Sequence, residues 1–111
     1  DFRNILFDFG KSTIRPESEP VIIKAAKTMN EEVPDATFYI DGYTDNIGSA
    51  VRNKEISKAR ALAVVNALVK AGVDKSRLTA RGFGKDHPKC DNSTESGRQC
   101  NRRVEVVNRS K

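Results

Sequence analysis

The fold of this 111-residue chain is decided by residues 40–68, IDGYTDNIGSAVRNKEISKARALAVVNAL. The stretch predicts the end of a β-strand, a turn rich in Gly, Asp and Asn, and then a long helix. Asp45 lies in the turn, and Arg60 lies well inside the helix. We expect this corner to position the main charged groups of the domain.

The helical pattern predicts that Arg60 faces inward. Positions seven apart nearly coincide around an α-helix, so Arg60 lies only about 20° from Asn53. The same face carries small or apolar residues, whereas the opposite face is rich in lysine. A buried guanidinium requires an acceptor, because an unpaired buried charge is strongly unfavourable. Asp45, in the preceding turn, is the candidate acceptor.

An acid and a base at one corner allow two interpretations. Asp45 and Arg60 can form a structural ion pair that fixes the strand, turn and helix. Alternatively, they can form a receptor for a zwitterion, in which Asp45 binds an ammonium group and Arg60 binds a carboxylate through two hydrogen bonds. The pattern alone leaves both interpretations open.

Composition indicates a single small soluble domain with a modest core. The chain is 37% hydrophobic and 32% charged, and no apolar run approaches the ~20 residues that cross a bilayer. It begins abruptly on a strand-like run without a signal-peptide pattern, so we expect a domain excised from a longer protein. The net charge of +5 favours an anionic partner, although solubility alone also explains it.

The two cysteines enclose a polar loop, CDNSTESGRQC, from Cys90 to Cys100. Two cysteines and the single His87 do not make a zinc site. A disulfide that closes this loop is the favoured interpretation, and it implies an oxidising compartment. Two reduced thiols in a cytosolic loop remain the alternative.

The predicted element order is β-α-β-α-β-(α)-β. Strands are expected at residues 4–9, 36–43, 77–83 and 103–107, and helices at about 16–33, 50–71 and 96–101. A strand–helix–strand connection makes the first two strands parallel neighbours. The fold class is therefore α+β, an α/β two-layer sandwich in which helices cover one face of a mixed four-stranded sheet.

Residues 53–68 of the predicted helix, NKEISKARALAVVNAL, resemble the signature of OmpA-like domains, N-x2-L-S-x2-R-A-x2-V-x3-L. The one departure is Ile56 in place of the signature's first Leu. The turn GYTDNIG at residues 42–48 resembles the family's G-H-T-D-x-x-G, with Tyr43 where His is usual. NRRVE at residues 101–105 resembles the family's closing strand, and RGFG at residues 81–84, followed by Pro88, resembles the loop before it. The resemblance covers nearly the whole chain in the right order.

This resemblance implies non-covalent binding of peptidoglycan through the meso-diaminopimelate of the stem peptide. The domain would anchor the outer membrane to the cell wall from the periplasm of a Gram-negative bacterium, without inserting into the membrane itself. By resemblance, Asp45 binds the ammonium group of diaminopimelate and Arg60 binds its carboxylate. The other matching positions are Asn53, Thr44, Asp8, Gly10 and Arg103. The sequence leaves open whether the domain is a monomer or a homodimer.

Two rival functions remain to be weighed. Nucleic-acid binding is motivated by the basic balance and by Arg98, Arg102, Arg103 and Arg109, but aromatic stacking platforms and a recognition helix are missing from the pattern. An enzyme acting on the wall would need a nucleophile with a base partner, and none is evident. No cofactor or metal is expected.

Overall fold

A computed structural model of the chain describes residues 5, 7 and 11–110. These residues form three helices and three strands. The helices are α1 (Glu19–Glu32), α2 (Ala50–Lys70) and α3 (Glu95–Asn101), and the strands are β1 (Phe38–Gly42), β2 (Leu78–Gly82) and β3 (Val104–Asn108). Short 3-10 turns, Pro16–Ser18 and Lys75–Arg77, precede α1 and β2.

The three strands form a mixed sheet in the order β2-β1-β3. β1 pairs with β2 in parallel, with Gly42 opposite Gly82, and pairs with β3 antiparallel, with Gly42 opposite Val104. α2 makes the crossover between the two parallel strands, as a strand–helix–strand unit requires. The predicted α+β fold with a mixed sheet is therefore confirmed.

The prediction of four strands needs correction. The described residues form three strands, and the strand expected at residues 4–9 falls largely on residues outside the described ranges. Its expected parallel pairing with the next strand lies outside them too. Phe7, which is described, forms one isolated antiparallel bridge with Ile14. This bridge is a contact between near neighbours in the chain and does not extend the sheet.

α2 packs across β1 and β2, and α1 packs beside α2. Among the apolar side chains of the core, five are the largest of those that are fully buried, and burial of each stabilises the fold by roughly 1.5–3 kcal/mol. They are Ile40, Val64, Leu68, Val73 and Val104. Ser49 caps the start of α2 by accepting a hydrogen bond from the Arg52 backbone, and Gly72 follows its end with a φ of 109°. The predicted bounds of this helix are thus confirmed to within a residue.

No helix within residues 11–110 combines the length and the apolar character that a membrane span requires.

The end of α1 is tied to the sheet by Arg77. Its guanidinium donates hydrogen bonds to the carbonyl oxygens of Met29, Val33 and Ala36 at 2.8–3.0 Å and to the side chain of Asn30 at 2.8 Å. The last carbonyl groups of a helix lack partners within the helix, so a cation placed there satisfies them and opposes the helix dipole.

Arg77→Met should therefore destabilise the domain. Three carbonyl groups would lose a charged donor, and a hydrogen bond to a charged group contributes about 1.5–3 kcal/mol net, and less at partly exposed sites where water can replace the donor. We expect the free energy of unfolding in urea to fall by about 2 kcal/mol. Lys75→Met, at an exposed position two residues earlier, is the matched control and should change it little. Equal effects of the two variants would contradict the role assigned to Arg77.

A disulfide between Cys90 and Cys100, whose Cα atoms are 6.1 Å apart, closes a loop that contains all of α3 except its last residue. This pairing confirms the predicted bond. Asn101 is fully buried and reinforces the closure. Its side chain accepts hydrogen bonds from the Lys89 and Cys90 backbones and donates to the Cys90 carbonyl and to Asn92, at 2.8–3.0 Å. The residue that follows α3, Arg102, is consequently held in a defined place.

Candidate functional site

Asp45 and Arg60 line one cavity of about 350 Å³. The cavity lies where the turn after β1 and the inner face of α2 meet α3. Within the part of the chain that the structure describes, its wall combines two acids, two arginines, an amide and three apolar side chains. They are Asp45, Glu95, Arg60, Arg102, Gln99, Ile5, Phe7 and Ile47.

A larger groove of about 740 Å³ runs between α1 and β3. Its lining is mainly aliphatic, with Lys24, Lys89 and Glu105 as its charged residues. The described residues that line it include no buried pair of opposite charges, whereas the smaller cavity brings a buried acid and a buried base together. We therefore place the candidate site at the smaller cavity.

The turn that follows β1 holds Asp45 in place. Thr44 donates its backbone N–H to the Gly84 carbonyl at 2.7 Å, and its hydroxyl donates to the Asp45 carbonyl at 2.8 Å. The Asp45 carboxylate accepts a hydrogen bond from the Ile47 backbone at 3.0 Å. Asn53 completes the turn from α2, because its amide donates to the Ile47 carbonyl at 2.9 Å. Thr44 and Asn53 thus shape the backbone around Asp45, and the cavity wall is formed by other side chains.

Arg60 is buried on the packed face of α2, as the helical pattern predicts. The residue is only 7% exposed. Its Nε donates to the Lys11 carbonyl at 2.9 Å, and its guanidinium lies 5.1 Å from the centre of the Phe7 ring. Burial lowers the pKa of Arg60, nearby Arg102 lowers it further, and Asp45 partly offsets both effects. Arg60 is therefore within electrostatic reach of both an acid and a second base in the same cavity.

Among the described residues, Asp45 forms an ion pair with Arg102. Arg102 donates from one terminal nitrogen to the Asp45 carboxylate at 2.6 Å. Both side chains are mostly buried, with 10% exposure for Asp45 and 22% for Arg102. The structural interpretation from the sequence paired Asp45 with Arg60, so the partner of the acid differs from the one expected.

Arg103 does not line this cavity, although the family resemblance predicted that it would contact the ligand. Its guanidinium sits 3.9 Å from the centre of the Tyr43 ring, and it donates to Glu105 and to the His87 carbonyl. The side chain is also buried, so it stabilises the closing strand and the neighbouring loop. Asp8 and Gly10, the remaining predicted contacts, lie outside the described residues.

Three polar residues of the cavity wall were not predicted as site residues by the sequence analysis: Glu95, Gln99 and Arg102. All three belong to α3 or directly follow it, and Arg102 donates to Glu95 at 2.7 Å and to Gln99 at 2.8 Å. The available signal was the Arg-Arg pair at residues 102–103, which places two bases after α3 without indicating which of them reaches the cavity. Only Arg102 reaches the cavity.

No cluster of His, Cys, Asp and Glu suited to a metal ion occurs among the residues that the structure describes. The polar groups that the described residues place on the cavity wall are two carboxylates, two guanidinium groups and an amide. Carboxylates in its wall suit a cationic group of a ligand, and guanidinium groups suit an anionic one.

Comparison with known proteins assigns the family. The sequence model of the OmpA family matches residues 6–102, most of the chain. The chain belongs to the OmpA family. The family resemblance seen in the sequence is thereby confirmed.

Relatives of the OmpA family that are similar to this chain include two outer-membrane proteins. Outer membrane protein Omp38 of Acinetobacter baumannii is 46% identical over 101 residues, which are 90% of this chain and 28% of that protein. Outer membrane porin F of Pseudomonas fluorescens is 42% identical over 103 residues, which are 93% of this chain and 31% of that protein. The chain thus spans about three tenths of the length of these relatives. They confirm the predicted location, a periplasmic domain of an outer-membrane-associated protein.

Solved structures of the OmpA family share the fold. The peptidoglycan-associated lipoprotein of Burkholderia pseudomallei is similar with a TM-score of 0.85 and 27% identity, over 95% of this chain and 88% of that one. The cell wall anchor of the T6SS from Pseudomonas aeruginosa is similar with a TM-score of 0.80 and 30% identity, over 91% and 72%.

Proposed function

We propose that this domain binds peptidoglycan non-covalently through the diaminopimelate of the stem peptide and anchors the outer membrane to the cell wall. The side chain of meso-diaminopimelate ends in an ammonium and a carboxylate group. In the proposed complex, Asp45 binds the ammonium group and Arg60 binds the carboxylate. The observation that carries the proposal is the placement of these two buried, oppositely charged side chains on one cavity.

The surroundings of the two residues support recognition of a small zwitterion. Among the described residues, the cavity wall carries two acids and two arginines, so it offers both a partner for an ammonium group and a partner for a carboxylate group. Arg60 is anchored through Nε and the Phe7 ring, which fixes the plane of its guanidinium before a ligand arrives. A pre-oriented guanidinium loses less entropy when it binds a carboxylate.

Thr44 and Asn53 enter this proposal as residues that position the Asp45 turn. Asp8 and Gly10 remain proposed contacts by resemblance alone. Arg103 is left out of the proposed contacts because it packs on Tyr43.

The named relatives also favour binding over catalysis. Two are described as outer-membrane proteins, one as a peptidoglycan-associated lipoprotein and one as a cell wall anchor. None of these four descriptions names an enzyme. A role in attachment to the wall therefore has support from both the cavity and the family.

Nucleic-acid binding is less well supported by the structure. Of the four arginines that motivated it, three donate to acids: Arg98 to Glu95, Arg102 to Asp45 and Glu95, and Arg103 to Glu105. Charges that are already paired contribute less to a field that attracts phosphates.

Selectivity between two types of stem peptide tests the proposal. A lysine-type peptide carries the ammonium group but lacks the terminal carboxylate, so Arg60 would have no ligand partner. We expect the domain to bind a diaminopimelate-type tripeptide at least about 30-fold more tightly, since loss of a buried charged contact costs 2–5 kcal/mol. Isothermal titration calorimetry with the two peptides measures this ratio.

As a control, DNA and the diaminopimelate-type tripeptide are each titrated over a series of salt concentrations. Binding of DNA would weaken steeply with salt, whereas binding of a zwitterion in a cavity should weaken less. Equal affinity for both peptides, or tighter binding of DNA than of either, would overturn the proposal. A dimer detected by sedimentation of the same samples would establish the oligomeric state.

A further inference from the structure

Arg102 bridges two carboxylates at the mouth of the cavity. One terminal nitrogen donates to Asp45 at 2.6 Å, and the other donates to Glu95 at 2.7 Å and to Gln99 at 2.8 Å. The two acids differ in burial, since the Asp45 side chain is 10% exposed and the Glu95 side chain is 67% exposed. One guanidinium therefore connects a buried acid to a solvent-exposed one.

This bridge gives Asp45 a cation before any ligand is bound. Its other hydrogen bond comes from the Ile47 backbone, which belongs to the turn itself. A buried carboxylate without a positive partner would be strongly destabilising, so Arg102 balances the charge of Asp45 in the free protein. An incoming ammonium group must compete with Arg102 for that carboxylate.

We propose that Arg102 is an internal competitor for the ammonium site and that Glu95 keeps Arg102 paired when a ligand displaces Arg102 from Asp45. The inference rests on the proposed function, because it assumes that the ligand's ammonium group binds Asp45. Arg102 already holds Glu95 and Gln99 through its second nitrogen, so release from Asp45 leaves the guanidinium paired. Displacement then replaces the ion pair between Arg102 and Asp45 by one between the ligand's ammonium group and Asp45. Arg102 stays paired with Glu95.

The position of Glu95 suits this role. It lies in the first turn of α3, and its carboxylate also accepts a hydrogen bond from Arg98. The hydrogen bonds from Arg102 and Arg98 lower the pKa of Glu95 and so favour its ionised form. The closed loop from Cys90 to Cys100 carries both Glu95 and Gln99, so the acceptor site is fixed relative to the cavity. Glu95 and Arg102 are positioning residues that set how strongly an ammonium group is selected.

A double-mutant cycle with free meso-diaminopimelate tests the exchange. Arg102→Gln removes the competitor, so we expect affinity to rise about fivefold, the size of a partly exposed ion pair. Glu95→Gln removes the alternative partner, so affinity should fall about threefold. In the double variant the Glu95 effect should disappear, because Arg102 no longer needs a second acceptor. Glu31→Gln, an exposed acid on α1, is the control and should leave affinity unchanged.

A second measurement uses the unmodified protein and does not depend on how the variants fold. The side-chain Nε signal of Arg102 in ¹⁵N NMR should move when meso-diaminopimelate is added, while that of the exposed Arg52 should stay. A static Arg102 signal under saturating ligand would overturn the inference. Weaker binding by a folded Arg102→Gln variant, or a Glu95 effect that persists in the double variant, would overturn it as well.

These failures are distinguishable from failure of the proposed function. If the parent domain bound diaminopimelate but the variants changed affinity in the opposite directions, only the exchange would be wrong. If the parent bound neither diaminopimelate nor diaminopimelate-type sacculi, the proposed function would be wrong, and the exchange would be wrong with it.

Discussion

Asp45→Asn and Arg60→Met are each expected to abolish retention of the domain on purified diaminopimelate-type sacculi. Each change removes one charge from a cavity in which the partner group of the ligand would be left desolvated and unpaired. Truncating one member of a buried charge pair costs about 2–5 kcal/mol, so affinity should fall by about 30-fold to several thousand-fold. Co-sedimentation with sacculi measures the bound fraction, and calorimetry with diaminopimelate measures the affinity.

Matched controls separate a lost contact from a lost fold. Asp35→Asn and Arg52→Met make the same chemical changes at exposed positions outside the cavity wall, and both variants should sediment like the parent. Circular dichroism melts of all four variants report their stability. Retention of either cavity variant at the parental level would refute the pocket assignment. An unfolded Arg60→Met variant would show instead that the contacts of Arg60 with Lys11 and Phe7 are chiefly structural.

The sequence could predict the parts of this site that follow from local periodicity. The inward position of Arg60 follows from the spacing of apolar residues along α2, and the observed burial of Asn53, Ser57, Arg60 and Val64 agrees with it. The position of Asp45 in a turn follows from the Gly, Asp and Asn residues at positions 42–48. The disulfide follows from the presence of two cysteines ten residues apart. Each of these features depends on residues that are close together in the chain.

Arg102 could not be predicted in the same way. Its contact with Asp45 spans 57 residues, and it depends on where α3 ends and how β3 begins. At the junction between a helix and a strand neither the 3.6-residue nor the two-residue period applies, so Arg102 and Arg103 look equivalent in the sequence. Tertiary structure separates them: Arg102 turns to the cavity, and Arg103 turns to Tyr43.

The close approach of α2 to the sheet is a second feature that connects the fold to the site. Gly42 of β1 and Gly82 of β2 are paired in register directly beneath α2. A Cβ atom on Gly42 would collide with the backbone of Ser57, and one on Gly82 would collide with the backbone of Lys58. These two glycines therefore let the helix that carries Arg60 approach the strand whose following turn carries Asp45.

Gly42→Ala is consequently expected to be the most destabilising of the substitutions considered. The obstacle is helix backbone, which cannot rotate away as a side chain can, so the cost should reach or exceed about 3 kcal/mol, the upper end for overpacking. At roughly 4–8 °C per kcal/mol for a domain near this size, the melting temperature should fall by more than about 10 °C. Differential scanning calorimetry measures the change.

Gly48→Ala provides the matched comparison, because it adds the same methyl group where space is available. Apart from its two chain neighbours, the heavy atom nearest to a Cβ added at Gly48 is the side-chain oxygen of Asn53, at 3.8 Å. The cost of this substitution therefore arises only from the φ of 93° at Gly48. That conformational cost is about 1–2 kcal/mol for a residue with a Cβ atom. A melting temperature for Gly42→Ala at or above that of Gly48→Ala would contradict the packing argument. If α2 instead shifts to accommodate the methyl group, the same variant should also bind diaminopimelate more weakly, because Arg60 moves with the helix while Asp45 stays with the strand.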